Sequence, residues 1–227
     1  PEKIPKPKPY LYRPEFIGSL DPLRTLDEKL DQLEQGGGSM VLVSGEAGIG
    51  KTRFLMEVAK DAKRRRIRVL TGECEPAGYE IEGTERETSP PLRCMRRIFQ
   101  YIHDHCMKNG IEETKRILGE RGKLLARYAP RILELPGISE YEDPPDLPFN
   151  ASQLRLYNYF IETIIAIAQS KPLIIILDDI HWADEITLSL LTFLSHTGQL
   201  GKSGVMFAAS FRSDDGTSNL QRLIKAP

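Results

Sequence analysis

Gly45-Glu46-Ala47-Gly48-Ile49-Gly50-Lys51-Thr52 is the stretch on which the fold turns. It fits G-x-x-x-x-G-K-[ST] at every fixed position, and the flanking chain supplies the context that the motif needs. In front of it, Met40 to Val43 is a short apolar run that reads as a strand. Behind it, from Lys51, the residues Phe54, Leu55, Val58, Ala59 and Ala62 recur on one face of a helix. A glycine-rich turn between strand and helix lets backbone N–H groups point inward and cradle phosphate oxygens. The helix N-terminus adds free donors and partial positive charge. Lys51 sets a cation against the β- and γ-phosphates, and the Thr52 hydroxyl is suited to Mg2+. The nucleotide-binding residues expected here are therefore Gly45, Glu46, Ala47, Gly48, Ile49, Gly50, Lys51, Thr52 and Arg53.

The second half of such a site lies far downstream. Leu173-Ile174-Ile175-Ile176-Leu177 reads as a fully buried parallel strand, and Asp178-Asp179 follows it directly. A carboxylate leaving a buried strand can reach Mg2+ beside the phosphates, directly or through water, which makes Asp178 the Walker B candidate. Asp179 stands where a neighbouring acid could orient or deprotonate a water.

Other elements alternate around these two. A helix is expected over residues 19 to 35, with Leu20, Leu23, Leu26, Leu30 and Leu33 at helical spacing and Ser19 or Asp21 as cap. Ile67 to Leu70 reads as a strand of mixed polarity, suited to a sheet edge. Leu92 to Met107, Ile111 to Tyr128 and Ser152 to Gln169 read as helices. Residues 84–91 and 136–148 read as loops. A helix over Ile186 to His196, a fourth strand over Val205 to Ala209 and the start of a helix over Leu220 to Ile224 complete the pattern. Strands alternating with helices predict an α/β fold: a P-loop NTPase three-layer sandwich on a parallel sheet, with a helical insertion over about 74–150. Residues 1–13, rich in Pro and Lys, read as an extended linker ahead of a core over 14–227.

Composition narrows the function classes. Thirty-one basic against 32 acidic residues leave a formal charge of −1, which argues against a generally basic nucleic-acid binder. No apolar run approaches the roughly 20 residues that cross a bilayer, and no signal-peptide pattern opens the chain. Three cysteines are too few and too odd in number for a disulfide framework, so a reducing, cytoplasmic setting is expected. The chain opens on Pro1 rather than Met, which reads as a piece of a longer protein.

With these residues in view, the chain resembles the nucleotide-binding domains of STAND signal-transduction ATPases, within the AAA+-like group. It is similar to the AAA ATPase modules of large bacterial transcription regulators, cyclase-associated ATPases and kinase-associated ATPases. Phe16-Ile17-Gly18 resembles the family's F-V-G-R opening, with Ser19 in place of Arg. Gly45 to Thr52 resembles its phosphate loop. Pro172 to Asp184 resembles its P-L-v-l-v-L-D-D-l-H-W-A-D segment, and Leu188 to Leu194 its leucine-rich helix. Ala209-Ser210-Phe211-Arg212 resembles the end of its fourth strand. The resemblance implies that Phe16, Ile17 and Gly18 contact adenine and that Arg212 is a sensor approaching the γ-phosphate. It implies strand order 5-1-4-3-2, with few residues left for strand 5. It also implies a lid and effector domains elsewhere in the same longer chain. His181 and Trp182 belong to the signature. Trp182 is expected to pack beneath the Walker B loop.

Weaker signals carry bland readings. His103 and His105 are two apart on one helix and point about 200° from each other, so with Cys94 and Cys106 they do not make a zinc site. Lys63-Arg64-Arg65-Arg66 and Arg68 read as solvated surface at a helix end. The acidic stretch Glu73 to Glu87 reads as an exposed loop. The function expected is an ATP/ADP-binding switch with slow, Mg2+-dependent hydrolysis and nucleotide-dependent self-association. It involves neither membrane nor direct nucleic-acid contact. The rivals are an AAA+ motor or loader and a non-hydrolysing ADP scaffold.

Overall fold

A computed structural model of the protein describes residues 20–76, 91–214 and 218–224. The expected linker over 1–13, the adenine contacts Phe16, Ile17 and Gly18, the cap Ser19 and all of the 84–91 loop but Pro91 lie outside the described residues.

The chain runs α1 (Leu20–Glu34), β1 (Ser39–Gly45), α2 (Lys51–Arg64) and β2 (Arg68–Glu73). Helices α3 (Arg96–Asn109), α4 (Ile111–Ile117), α5 (Arg121–Leu125) and α6 (Phe149–Ala168) follow, then β3 (Leu173–Asp178), α7 (Glu185–Thr197), β4 (Val205–Arg212) and α8 (Ser218–Ile224). All strand pairs are parallel, in the order β1-β4-β3-β2. This matches the last four positions of the expected order. A fifth strand is not among the described residues. β2 is an edge strand, as its mixed polarity implied, while Leu173 to Leu177 of the interior β3 are buried.

Strand alternation explains the three layers. Leu173, Ile175 and Leu177 of β3 and Val205, Phe207, Ala209 and Phe211 of β4 face one core, built with the helices from α3 to α8. Ile174, Ile176, Met206 and Ala208 face the other, where Leu26, Leu30 and Leu33 of α1 and Leu55, Val58 and Ala62 of α2 pack. Each fully buried Leu, Ile or Val contributes about 1.5–3 kcal/mol, so helices carrying an apolar stripe are held on both faces of the sheet. The crossovers leave every loop that follows a strand at one edge of the sheet, and the candidate site lies there.

Several expectations are corrected. The helix expected over 111–128 is broken at Gly119 (φ 49°) into α4 and α5. The loop expected over 136–148 contains a 3-10 turn, Ile138–Glu140. Arg65 is not a solvated end-of-helix charge. Its side chain is 19% exposed and bonds Asp61 of α2 together with Asp27, Asp31 and Glu34 of α1, pinning the two helices. Asp31 first, then Asp61 and Asp27, raise the pKa of its guanidinium. A disulfide joins Cys74 to Cys94, with Cα atoms 5.0 Å apart, which cysteine number alone did not anticipate. The 3-10 turn Arg93–Met95 packs so closely on the end of β2 that the Cys94 carbonyl leaves no room for a Cβ at Gly72.

Candidate functional site

The phosphate loop leaves β1 at Gly45. A Cβ there would lie 2.9 Å from Ile49 Cγ2, so a larger residue would have to displace the Ile49 side chain. Gly50 sits at φ 99°, ψ 19° immediately before α2, a conformation that costs glycine little and other residues much. Lys51, the first residue of α2, is 8% exposed. Its ammonium donates to the carbonyls of Gly45 and Glu46, each at 2.9 Å, which holds the cation over the loop. Thr52 is exposed one residue on, and Arg53 is half-buried beside it.

Across the cleft, β3 ends at Asp178. Buried Ser210 of β4 donates its hydroxyl to the Asp178 carboxylate. The Asp179 amide donates to the same Ser210 oxygen at 2.9 Å. One side chain thus ties both acids to β4. Asp179 has φ 56°, ψ 48°, an uncommon conformation for a residue with a Cβ. A 3-10 turn, Ile180–Trp182, follows, and the Trp182 amide donates back to the Asp179 carbonyl at 3.0 Å. Asp184 caps α7, accepting from the Thr187 amide at 2.9 Å and the Thr187 hydroxyl at 2.7 Å. The final Asp of the H-W-A-D stretch is therefore a helix cap.

Arg212 ends β4, in register with Gly45 of β1. Its guanidinium grips Asp214 from Nη2 at 2.7 Å and from Nε at 3.3 Å. The Arg212 hydrogen bonds, then a backbone bond, hold the Asp214 carboxyl below the usual range.

These parts converge on one cleft of about 610 Å3. Ala47, Gly48, Gly50, Lys51, Thr52 and Arg53 line one side with Met56. Asp179, His181, Trp182 and Arg212 line the other. Gly45 and Glu46 act through their carbonyls on Lys51, and Ile49 projects outward at 70% exposure. Asp178 sits behind Asp179 on Ser210 rather than on the cleft wall. Trp182 does not pack under the acidic loop. It is 46% exposed on the wall, whereas His181 is buried. Residue-type patterns missed Ser210 because its role exists only across the β3–β4 pairing. Asp184 carried a legible signal, an Asp before an apolar helix.

No group of three His, Cys, Asp or Glu among the described residues could hold a metal alone. The Thr52 hydroxyl and Asp178 carboxylate are hard oxygen donors, the kind Mg2+ takes alongside substrate phosphates. Thr52 lines the cleft and Asp178 lies behind its wall on Ser210, so the pair fits that ion with Asp178 reaching it through water. His105 bonds Glu113 at 2.9 Å, and His103 bonds Asp104 at 3.0 Å.

The sequence matches the model of the family described as AAA ATPase domain over residues 15–207. The chain belongs to the AAA ATPase domain family. Nucleotide binding is what membership in this family implies. Among relatives of this AAA ATPase domain, an uncharacterized protein of Rhizobium meliloti (strain 1021) is 24% identical over 189 residues, 78% of this chain and 16% of that protein. Hybrid signal transduction histidine kinase G of Dictyostelium discoideum is 23% identical over 193 residues, 82% of this chain and 5% of that one. The chain thus spans less than a fifth of the length of these curated relatives. A crystal structure of a DNA replication initiation factor superposes with a TM-score of 0.40 at 14% identity, covering 93% of this chain and 46% of that one. Drosophila ORC bound to AT-rich DNA and Cdc6 gives 0.34 at 11%, covering 90% and 56%. Those scores are too low to bear on function. Among the described residues, no helix is long and apolar enough to cross a membrane.

Proposed function

We propose that this AAA ATPase domain is an ATP-binding switch of a larger regulator, hydrolysing ATP slowly with Mg2+. The observation that supports it is the convergence of three strand ends on one cleft. Lys51 and Thr52 follow β1, Asp179 follows β3 and Arg212 ends β4. Lys51 binds the β- and γ-phosphates, which compete for its ammonium with the Gly45 and Glu46 carbonyls. Thr52 would hold Mg2+ directly and Asp178 through water, and the ion when bound would neutralise charge on the phosphate oxygens. Asp179 orients the attacking water and accepts its proton. Arg212 exchanges its hold on Asp214 for the γ-phosphate, so the chain after β4 senses which nucleotide is present. The similar segment in a hybrid signal transduction histidine kinase supports a signalling context. Lid and effector domains of the same longer chain and nucleotide-dependent self-association belong to this reading.

Titration calorimetry with ATP and ADP, with and without Mg2+, beside a phosphate-release assay, tests it. The expected result is tighter, Mg2+-dependent ATP binding and slow turnover. Equal affinity for both nucleotides with no turnover would refute the switch.

A further inference from the structure

A carboxylate beside a phosphate site opposes its ligand, and Asp214 is such a carboxylate. It belongs to the segment that leaves β4 and crosses the phosphate loop. The Ser213 amide donates to the Gly45 carbonyl at 3.2 Å. That same carbonyl accepts from the Lys51 ammonium at 2.9 Å. Residues 212–214 are thereby stapled to the first residue of the loop, next to the cation that the β- and γ-phosphates need. The Arg212 bond foremost, then a backbone bond and, at longer range, the Lys51 charge hold the Asp214 carboxyl below the usual range.

What Asp214 takes is the fork of the Arg212 guanidinium. Nη2 donates to Oδ2 at 2.7 Å and Nε to Oδ1 at 3.3 Å. Two N–H groups on two oxygens is also the geometry in which a guanidinium grips a phosphate. Arg212 lines the cleft, so a carboxylate and an incoming phosphate meet the same donors. The pair is wet, with side chains 35% and 55% exposed. A surface ion pair of this kind shifts an equilibrium a few fold without locking it.

We propose that Asp214 is a specificity-determining residue, an internal anion that competes with the γ-phosphate for Arg212 and so sets the preference between ATP and ADP. This inference rests on the sensor reading of Arg212 above. A γ-phosphate brings more charge and more acceptor oxygens than a carboxylate, and it displaces Asp214 from the fork. ADP ends at the β-phosphate, which the loop and Lys51 hold, and it leaves Arg212 on Asp214. ATP binding therefore includes the cost of breaking the pair, and ADP binding does not. Asp214 narrows the margin by which ATP is preferred, and it keeps the chain after β4 tied to Arg212 until a triphosphate arrives.

The test is titration calorimetry with ADP and with a non-hydrolysable ATP analogue, for wild type, Asp214→Asn, Arg212→Ala and the double variant. Thermal unfolding checks that each variant is folded. Asp214→Asn is expected to tighten binding of the triphosphate about threefold, the scale of a surface ion pair, with ADP affinity nearly unchanged. Arg212→Ala should weaken the triphosphate more than ADP. In that background Asp214→Asn should leave the ratio of the two affinities where it is, because the carboxylate acts only through the guanidinium. An unchanged ratio in Asp214→Asn would overturn the assignment. Equal tightening of both nucleotides would do so too, since it would make Asp214 a general negative charge near the cleft. A gain for the triphosphate that persists in Arg212→Ala would overturn it as well. A wild-type ratio in Arg212→Ala would instead overturn the sensor reading, and this inference with it.

Discussion

Ser210→Ala removes one oxygen atom from the interior of the site, and its cost can be worked from the structure. Ser210 is completely buried. Its hydroxyl donates to the Asp178 carboxylate and accepts from the Asp179 amide at 2.9 Å. Alanine leaves the amide without that acceptor. An unsatisfied buried donor costs about 1–3 kcal/mol. Asp178 is only half-buried, so water can replace part of its lost bond. A net loss of about 2 kcal/mol is expected, near the middle of that range. For a chain of this size it lowers the melting temperature by roughly 4–8 °C. The site should respond too. Asp178 and Asp179 lose their common anchor on β4, so the Mg2+-dependent gain in ATP affinity should fall about tenfold, while Mg2+-free phosphate binding at Lys51 persists. Thermal unfolding and calorimetry with and without Mg2+ read the two effects separately. An unchanged melting temperature would refute the hydrogen-bond geometry. A lower melting temperature with full Mg2+ dependence would confine Ser210 to stability.

Three further outcomes follow from other parts of the molecule. Lys51→Ala should weaken ATP binding by about 2–3 kcal/mol, on the order of 100-fold, since charge-assisted bonds to phosphate are lost; wild-type affinity in calorimetry would sink the phosphate-loop reading. The Arg116 guanidinium, helped by His105, holds the Glu113 carboxyl down to about 2 from the usual 4.5. Because the folded-state pKa is depressed, the stabilisation is present above pH 4.5 and is lost as pH falls toward about 2. Glu113→Gln should therefore flatten denaturant-measured stability over that window, and an unchanged pH slope would contradict the pairing. Burial pushes the Cys106 thiol up to about 11, and Cys74 and Cys94 are bonded to each other. A thiol reagent at pH 8 should find no reactive cysteine in the native chain and one after unfolding without reductant; three would deny the disulfide.

Much of the site is legible in the amino-acid sequence. The glycines, Lys51 and Thr52 act through a turn whose geometry is set by residues next to each other in the chain. The apolar run before Asp178 announces a buried strand wherever it occurs, and helical spacing marks α1, α2, α6 and α7. The break between α4 and α5 is less legible, because Gly119 inside an otherwise periodic segment carries only a weak penalty. The disulfide is invisible at that level, since Cys74 and Cys94 meet only when the end of β2 and the turn before α3 converge.

The sequence alone determined the phosphate loop, the acid pair and the alternation of strands with helices, because backbone conformation and amphipathic period are carried by near neighbours. The tertiary structure alone decided what the other polar residues do. Ser210 became the anchor of both acids because β3 and β4 pair in one parallel register. Arg65 became a clamp because α1 packs beside α2. His181 turned inward and Trp182 outward because a single 3-10 turn places consecutive side chains in different environments. Each outcome depends on contacts between segments far apart in the chain, and these exist only once the sheet has set which strand lies beside which.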